Sequence, residues 1–473
     1  MRLPKEIGPL HFVGLGGIGM SAIAEVCLAL GYQVQGSDMA RSANVDRLQE
    51  KGATVFIGHD GTHVAGAGVV VVSSAIKRDN PELVAARAAG VPVVLRAEML
   101  AELMRLKSSI AIAGTHGKTT TTSLMASILT AGQVDPTVIN GGIIEAFGSN
   151  ARIGAGSWLV AEADESDGSF LKLPCQIGVI TNIDPEHMET YGDFAGVKRA
   201  FRQFVEQIPF YGFALLGIDH PVVGELANEL CSGDQLASKR VLTYGQSDGA
   251  DVQLCNLLDE AGAVTFDVRF SEAMRGGAQV IEGLRLPMPG LYNALNATAA
   301  LAVGHEIGVE PALMKQGLAG FQGVKRRFTA VGSLGDVQFY DDYAHHPVEI
   351  SCVLEAAKKT AKGKVIAIMQ PHRYSRLKDH FEDFKTCFDV ADMVVMAPVY
   401  AAGEAPLPGF DHLTLGAAVE ARGQKVHFVE GEEGLVPLLR KVAGPGDLVI
   451  GLGAGSISAW MNNLPDALRQ VAA

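Results

Sequence analysis

The chain has 473 residues, of which 48% are hydrophobic and 19% charged, and its formal net charge is −13. This length suggests about three domains, while the acidic balance argues against a nucleic-acid partner. The sequence has no apolar run near ~18 residues and no signal peptide, which predicts a cytoplasmic protein without membrane association. Its six cysteines are scattered and lack a C-x-x-C pair, so they are predicted to be reduced core thiols.

The first predicted strand–turn–helix unit carries a dinucleotide-type fingerprint. A short strand at His11–Val13 leads into a glycine-rich turn, and Asp38 ends the next strand about twenty residues later, where a ribose hydroxyl would be bound. The free N–H groups of such a turn bind phosphate, but they do not say which nucleotide is bound. The buried strand Val69–Val72 ends in hydroxyls that either face the ligand or simply end the strand. The candidates for this first nucleotide site are Gly16, Gly17, Gly19, Met20, Ser21, Asp38, Ser73 and Ser74.

A second glycine turn predicts an ATP site. The apolar strand ending at Ala113 leads into Gly114-Thr-His-Gly-Lys-Thr and then into helix-compatible residues, the order that a phosphate cradle requires. The pattern G-x-x-x-x-G-K-[ST] is only partly met, because Ile112 stands at the first glycine position. Lys118 would reach the β- and γ-phosphates and Thr119 would hold Mg²⁺; the alternative is a glycine turn without a ligand. The candidates are Gly114, Thr115, His116, Gly117, Lys118, Thr119 and Thr120.

Acidic residues follow the next strand. The strand Trp158–Glu162 runs into a segment that has four acids among the six residues from Glu162 to Asp167. Beside a phosphate-binding loop, such a strand end supplies a carboxylate for Mg²⁺, and Glu165 is the best candidate; the alternative is a solvated acidic loop. The strand Ile177–Ile180 then leads to His187, which is predicted as a second-metal ligand at the same edge; the alternative is a structural histidine.

The rest of the chain returns to strand–helix alternation after a weaker region. From Phe213 to about Pro287, alternating strands predict an antiparallel excursion from the sheet. A helix then begins with Tyr292, Asn293 and Asn296 near its first turn. The basic cluster Lys325–Arg327 is interpreted as a domain junction, with a solvated charge run as the alternative. The strands of the last third end in polar residues that should converge on one rim.

At this point several motifs together resemble the Mur ligase family, over nearly the whole chain from about Phe12 to Ser456. The motifs are Gly114-Thr-His-Gly-Lys-Thr-Thr, Glu162-Ala-Asp-Glu-Ser-Asp, Thr181-Asn-Ile-Asp-Pro-Glu-His, Arg326-Arg-Phe, Asp341-Asp-Tyr-Ala-His-His-Pro and Gln370-Pro-His-Arg-Tyr-Ser-Arg.

The resemblance implies an α/β fold of three domains. Residues 1–107 would form a Rossmann-like N-terminal domain that binds the UDP of a sugar nucleotide and no nicotinamide. Residues 108–324 would form a central P-loop-type ATPase domain with a mostly parallel sheet. Residues 325–473 would form a Rossmann-like C-terminal domain that closes over ATP and the amino acid.

The resemblance also implies roles for individual residues. His346, Arg373 and Arg376 match substrate-side positions, and Arg326 and Asp342 match positions near the nucleotide. The family usually has His-Asn where this chain has Tyr292-Asn293, and tyrosine keeps a flat face for adenine. The implied catalytic set is Lys118, Glu165, His187, His346, Arg373 and Arg376; the implied metal set is Thr119, Glu165 and His187; Tyr292, Asn293, Asn296, Arg326 and Asp342 join the ATP-binding set.

The activity implied by the resemblance is an ATP-dependent amide ligation in peptidoglycan precursor synthesis. L-alanine would be joined to the lactyl carboxylate of UDP-N-acetylmuramate through an acyl phosphate, with one or two Mg²⁺ ions and with ATP as co-substrate. The enzyme would be a monomer or a weak homodimer. The alternatives are a peptide-recycling ligase of the same family, a nicotinamide oxidoreductase that uses the first glycine turn, and a nucleotide-binding regulator without catalysis.

Overall fold

A computed structural model describes residues 6–232, 239–260 and 262–470. In these residues the strands form sheets of five, ten and six strands, and the predicted α/β class with three domains is confirmed. The chain divides into two compact units. The first runs to Asn256 and includes Phe266–Leu284 and Leu295–Gln322, and the second comprises Leu257–Thr265, Arg285–Ala294 and the chain from Gly323 onward. The domain boundaries at 107/108 and 324/325 stay predictions.

The five-stranded sheet is parallel and carries the first glycine turn at its centre. Its strand order is β3-β2-β1-β4-β5, so the chain switches direction between β1 and β4, where open α/β sheets bind ligands. All residues of β1 and β4 are buried, which is why these segments read as unbroken apolar runs. The elements are β1 Leu10–Val13, α1 Ile18–Ala29, β2 Val34–Asp38, α2 Ala43–Glu50, β3 Thr54–Ile57, β4 Val69–Val72, α3 Pro81–Ala88, β5 Val93–Leu95 and α4 Arg96–Met104.

The ten-stranded sheet places the second glycine turn between two acidic strand ends. In the order β15-β14-β13-β12-β11-β10-β6-β9-β7-β8, β6 is parallel to both β9 and β10. The carboxyl ends of these three strands therefore meet at one edge. The elements are β6 Ser108–Ala113, α5 Lys118–Ala131, β7 Thr137–Ile144, β8 Ser149–Arg152, β9 Trp158–Glu162, β10 Ile177–Ile180, α6 Met188–Tyr191, α7 Phe194–Glu206, β11 Phe213–Gly217, α8 Pro221–Ser232, β12 Arg240–Gly245, β13 Val252–Glu260, β14 Ala263–Phe270, β15 Gln279–Leu286, α9 Leu291–Ile307 and α10 Pro311–Ala319.

The predicted antiparallel excursion from Phe213 is wrong at its beginning. Strands β10, β11 and β12 pair in parallel. Helix α7 lies between β10 and β11 and helix α8 between β11 and β12, and these helices provide the crossovers that parallel neighbours need. Val223 and Leu226 of α8 are buried. The helical segment between β11 and β12 was overlooked in the sequence.

The six-stranded sheet has the order β16-β17-β21-β18-β19-β20. Strand β16 pairs antiparallel with β17, and the other pairs are parallel. The polar residues that follow β17, β18 and β21 therefore lie at one edge, as predicted. The elements are β16 Thr329–Leu334, β17 Val337–Asp342, α11 Pro347–Thr360, β18 Val365–Met369, α12 Tyr374–Asp379, α13 Phe381–Thr386, β19 Met393–Met396, α14 His412–Glu420, β20 Val426–Phe428, α15 Leu435–Val442, β21 Leu448–Leu452 and α16 Ile457–Gln470.

The prediction that the cysteines are core residues holds for only part of the set. Cys27, Cys175 and Cys387 are buried, whereas Cys231 is exposed and the other two are partly exposed; all six are free thiols. Within the described residues, no helix is long and apolar enough to cross a bilayer.

A buried carboxylate stabilises the five-stranded sheet against α3. Glu82 is fully buried, and its oxygens lie 2.6 Å from Ser37 Oγ, 2.9 Å from His63 Nδ1 and 3.3 Å from His59 Nδ1. Burial alone would raise the pKa of Glu82, but hydrogen bonds from the surrounding side chains outweigh it and lower the pKa to about 2. The charged form of Glu82 therefore belongs to the folded state.

Replacing Glu82 with glutamine is expected to destabilise the protein near neutral pH by about 3 kcal/mol, because the depressed pKa represents stability that only the carboxylate provides. Since the folded pKa lies below the ordinary value of 4.5, this contribution is complete above about pH 5 and disappears as the pH falls toward about 2. Urea unfolding of the parent and of Glu82→Gln at several pH values measures it. A stability difference that stayed constant down to about pH 3 would contradict the assignment.

Candidate functional site

The first glycine turn is held by the acid predicted to bind ribose. The backbone N–H of Gly16 donates to Asp38 Oδ2 at 2.8 Å, and a Cβ on Gly16 would lie 2.9 Å from the same oxygen. Gly17 precedes the first turn of α1 and Gly19 lies in it. The side chains of Met20 and Ser21 are buried. These two residues can therefore meet a ligand at the turn through their backbone but not through their side chains.

The serines that end β4 differ in exposure. Ser73 is partly exposed and Ser74 is exposed, and both follow β4, the neighbour of β1 in the sheet. They therefore stand at the same switch point as the glycine turn. Their role in binding stays a prediction.

The β7–β8 hairpin of the ten-stranded sheet contacts α1, the helix that follows the first glycine turn. Asn150 in β8 donates through Nδ2 to the backbone oxygen of Ile18 and to Ser21 Oγ, the latter at 3.3 Å, and accepts from Arg47 Nη2 at 3.0 Å. The buried Glu25 of α1 accepts from Ser149 Oγ at 3.1 Å and from Arg47 Nε at 3.2 Å. These contacts lie within the first compact unit and fix α1 against the ten-stranded sheet.

The second glycine turn has the backbone geometry of a phosphate cradle. Gly114 has a φ of +129° and Gly117 a φ of +83°, and Gly117 caps the N-terminus of α5. A Cβ on Gly114 would lie 2.0 Å from Thr181 Oγ1, and one on Gly117 would lie 2.6 Å from Asn296 Oδ1. Glycine is therefore required at both positions by conformation and by close approach. Asn296 also accepts a hydrogen bond from Thr121 Oγ1 at 3.1 Å, which brings this predicted residue to the turn.

Lys118 and Glu165 form a buried ion pair at this turn. The Lys118 Nζ atom donates to the two Glu165 oxygens at 2.9 and 2.7 Å and to the backbone oxygen of Gly114 at 2.6 Å. Burial alone would lower the pKa of Lys118, but the carboxylates of Glu165, Asp164 and Glu162 outweigh it and raise the pKa above its ordinary value. The lysine is therefore a fixed positive charge beside the cradle.

Thr119 is hydrogen-bonded to Glu162 and not to Glu165, the carboxylate predicted to hold a metal together with it. Its Oγ1 donates to Glu162 Oε2 at 3.0 Å, and the same oxygen accepts from the backbone N–H of Gly141 at 2.8 Å. Glu162 ends β9, which is the direct neighbour of β6, so its side chain reaches the first turn of α5. The predicted metal set of Thr119, Glu165 and His187 is thus split over two groups of side chains.

The second of these groups consists of Glu165, Glu186 and His187. Each residue offers one ligand atom, and within the described chain these atoms lie within 4.8 Å of one another. Two carboxylates and an imidazole are suitable ligands for a divalent cation, and the two carboxylates are the oxygen ligands that Mg²⁺ prefers. His187 has a φ of +56°, a left-handed conformation that is uncommon outside glycine and occurs often at functional sites.

The second compact unit contains the predicted nucleotide residues Arg326 and Asp342. Asp342 is buried and accepts from the backbone N–H groups of Phe328 and Ala344, each at 2.7 Å; burial raises its pKa to about 6. Arg326 has a φ of +63°, donates from Nη2 to the backbone oxygen of Gly453 at 2.7 Å and lies over the ring of Tyr343. Both side chains are therefore fixed at the edge where β17 and β21 end.

The predicted substrate-side residues occupy different environments in the same unit. His346 is buried, and its Nδ1 accepts from the backbone N–H of Val348 at 3.4 Å as the cap of α11. Arg373 is exposed, with a φ of +67°, and such a conformation costs about 1–3 kcal/mol in a non-glycine residue. Arg376 Nη1 lies 3.3 Å from His372 Nδ1. The two arginines are better placed for a carboxylate ligand than the buried histidine.

Tyr292 and Asn293, the remaining predicted ATP residues, belong to the second unit. Asn293 is fully buried and donates to the backbone oxygen of Pro289 at 2.7 Å. Tyr292 packs against the hydrophobic core of the six-stranded sheet, and burial raises the pKa of its hydroxyl above the ordinary value. Contact of either residue with adenine stays a prediction.

Three domain profiles match consecutive parts of the chain. They are described as "Mur ligase family, catalytic domain" for residues 9–108, "Mur ligase middle domain" for residues 112–304 and "Mur ligase, glutamate ligase domain" for residues 326–455. The chain belongs to the Mur ligase family.

Several Mur ligases resemble it over their full length. The UDP-N-acetylmuramate–L-alanine ligase of Rhodopseudomonas palustris (strain BisA53) is 56% identical over 470 residues, which cover 99% of both chains. The enzyme of the same name from Methylocella silvestris is 56% identical over 474 residues and 100% of both chains. The crystal structure of UDP-N-acetylmuramate-alanine ligase from Thermotoga maritima is 28% identical, with a TM-score of 0.79 over 98% of this chain and 100% of that chain. A murein peptide ligase from Psychrobacter arcticus has a TM-score of 0.69 over 98% of each chain, and its 22% identity supports the fold alone.

Three residues at the sites of this Mur ligase were missed in the sequence as binding candidates: Glu162, Glu186 and Arg96. Glu186 directly precedes His187 and belongs to the group of possible metal ligands. Glu162 is the last residue of the strand next to the second glycine turn, but the sequence analysis chose Glu165 from the acids that follow it. Arg96 had no local signal. Its Nη1 lies 3.0 Å from where a Cβ on Gly19 would be, and its Nη2 lies 3.5 Å from Asp164 Oδ2, so its charge stands between the first glycine turn and the acidic segment.

Proposed function

We propose that the chain joins L-alanine to the lactyl carboxylate of UDP-N-acetylmuramate at the expense of ATP, giving ADP and phosphate, as a step of peptidoglycan precursor synthesis. The name shared by relatives that are 56% identical over 99% or more of both chains supports this activity. The single observation on which the proposal depends is the meeting of Lys118, the Thr119–Glu162 pair and the Glu165–Glu186–His187 group around one glycine turn. An energy-coupled phosphoryl transfer needs this combination of fixed cation, backbone donors and metal ligands.

Sugar-nucleotide binding is assigned to the first glycine turn. The N–H groups at the N-terminus of α1 and the nearby guanidinium of Arg96 provide positive potential for a diphosphate. Asp38 keeps the turn in shape through its bond to Gly16. The remaining residues of this site are Gly17, Gly19, Met20, Ser21, Ser73 and Ser74.

Activation of the carboxylate is the first chemical step of the proposal. A lactyl oxygen attacks the γ-phosphorus of ATP, the bond to the β,γ-bridging oxygen breaks, and an acyl phosphate and ADP result. The backbone N–H groups of the second glycine turn and Lys118 hold the phosphates and offset the negative charge that spreads over their oxygens.

Mg²⁺ would be held by Thr119 with Glu162 and by Glu165, Glu186 and His187. When bound, it neutralises phosphate charge and polarises the phosphoryl group. The chain's own contribution is to keep these donors in fixed positions, through the bond of Glu162 to Gly141 and the ion pair of Glu165 with Lys118.

Amide formation is the second step. The free amine of L-alanine attacks the acyl carbon, phosphate leaves, and the nitrogen loses a proton to give the amide. The alanine carboxylate needs a cation, and Arg373 or Arg376 is the candidate because a guanidinium binds a carboxylate in bidentate fashion.

Phosphate release tests the function directly. The purified protein is expected to release phosphate only when UDP-N-acetylmuramate, ATP, Mg²⁺ and L-alanine are all present, and mass spectrometry should find the alanyl product. A panel that contains glycine, L-serine and a tripeptide distinguishes the proposal from a peptide-recycling ligase: faster turnover with the tripeptide than with L-alanine would overturn it. Oxidation of NAD(P)H at 340 nm by the protein would support an oxidoreductase instead.

The proposed reaction would take place in the cytoplasm. The chain would act there as a monomer or a weak homodimer, which analytical ultracentrifugation measures.

A further inference from the structure

Asp184 connects the second glycine turn to the start of α8. Its Oδ2 lies 3.3 Å from Nε2 of His116, and its Oδ1 lies 3.2 Å from Nε2 of His220. The side chains of His116, Asp184 and His220 are only 11%, 17% and 23% exposed. The ring of His116, a residue of the second glycine turn, thus faces the Asp184 carboxylate on its Nε2 side.

The bridge between the two rings depends on a charged carboxylate. An ionised carboxylate accepts on both oxygens at once, whereas an amide offers one oxygen acceptor and a donor nitrogen. Both rings can therefore be held together only by the acid.

The same segment also fixes the backbone of the turn. The N–H of His116 donates to Asn182 Oδ1 at 2.7 Å, its carbonyl oxygen accepts from Thr181 Oγ1 at 2.6 Å, and the N–H of Asp184 donates to Thr115 Oγ1 at 2.8 Å. The next residue, Gly117, is the N-cap of α5. The segment Thr181–Asp184 therefore meets His116 at its backbone as well as at its ring.

We propose that Asp184 and His220 are positioning residues of the ATP site: His220 orients Asp184, Asp184 holds the ring of His116, and the ring keeps the peptide groups of the turn directed at the phosphates. The roles proposed for Asp184 and His220 require no contact with the nucleotide. The inference rests on the proposed ATP site and adds two residues to it. Its effect falls on nucleotide affinity, because a preorganised cradle binds the phosphates before any chemistry occurs.

The decisive variants are His220→Ala and His220→Gln. Loss of the donor in His220→Ala is expected to raise the KM for ATP and the Kd for Mg·ADP by about tenfold, the effect of one hydrogen bond to a charged group, with kcat changed by less than about twofold. In His220→Gln the amide nitrogen replaces Nε2 as donor, so both constants should return to within about threefold of the parent. Isothermal titration with Mg·ADP and steady-state kinetics measure the two constants.

Asp219→Asn is the matched control for damage to the β11–α8 connection. Asp219 precedes His220 and accepts from Gln246 N, Ser247 N and Ser247 Oγ at 2.7, 3.0 and 2.7 Å, without a bond to Asp184. This variant should lower the Tm and leave the Kd for Mg·ADP unchanged. Asp184→Asn is a second test of the bridge, and it should weaken Mg·ADP at least as much as His220→Ala while UDP-N-acetylmuramate binds with the parental Kd.

The inference is overturned if His220→Ala lowers the Tm but keeps the parental Kd for Mg·ADP, or if His220→Gln binds as weakly as His220→Ala. Either result would mean that the three side chains serve stability alone. A failure of the proposed function is recognised separately, because the parent protein would then release no phosphate with L-alanine or would bind no Mg·ADP.

Discussion

Lys118→Ala is expected to reduce the rate of ligation by about a thousandfold or more, because one preorganised charge at a developing oxyanion is worth at least that much. Lys118 is the only side-chain cation that the described structure places inside the second glycine turn. The Kd for UDP-N-acetylmuramate should stay within about threefold of the parent, because the first glycine turn belongs to a different sheet. Phosphate release and calorimetric titration with the sugar nucleotide measure the two effects.

Lys118→Ala leaves the carboxylate of Glu165 without its positively charged partner, so its control must remove that charge as well. Glu165 is 3% exposed, and a buried carboxylate without its partner costs about 3–5 kcal/mol of stability. The double variant Lys118→Ala/Glu165→Gln removes that charge, so it should regain much of the lost Tm and remain inactive. Activity near the parental rate in either variant would show that the ATP site has been assigned to the wrong turn.

The order of strand, turn and helix at this site was predictable because it follows from local rules. The apolar run of β6, the glycines and the helix-compatible residues of α5 lie within one stretch of sequence, and the free N–H groups of such a turn bind phosphate whatever the rest of the chain does. The same reasoning located the acids after β9 and the histidine after β10, since neighbouring parallel strands end at one edge of a sheet.

The partners of individual side chains were not predictable in the same way. His116 was assigned to the nucleotide as part of the motif, but its ring lies at Asp184 because β10 and the start of α8 bring the acid and His220 to it. Asn296 meets Thr121 across 175 positions of the chain. Such contacts are set by packing between distant segments, about which local patterns carry no information.

The choice between Glu162 and Glu165 depended on the path of the backbone after β9. The N–H of Ser166 donates to Asp164 Oδ1 at 3.0 Å, and the N–H of Gly168 donates to the backbone oxygen of Glu165 at 3.0 Å. The chain therefore turns immediately after the strand, and the acids of one short segment point in different directions. A count of acids in the sequence gives their number but not these directions.

Glu162→Gln is expected to slow ligation by about a hundredfold and to raise the Mg²⁺ concentration for half-maximal rate by about tenfold or more, because Glu162 is the carboxylate that Thr119 reaches and even indirect partners of a metal change its affinity by 10–100-fold. Binding of Mn²⁺ in the presence of ADP, followed by electron paramagnetic resonance, gives a readout that does not depend on turnover.

Asp167→Asn is the matched control on the same segment, since its carboxylate accepts from Ser169 N at 3.0 Å and does not reach Thr119. If Asp167→Asn weakened Mn²⁺ as much as Glu162→Gln, the segment would act through its overall charge rather than through one ligand. If only Glu165→Gln weakened it, the single-carboxylate prediction made from the sequence would be right, and the Thr119–Glu162 contact would be a structural bond that closes β9 against α5.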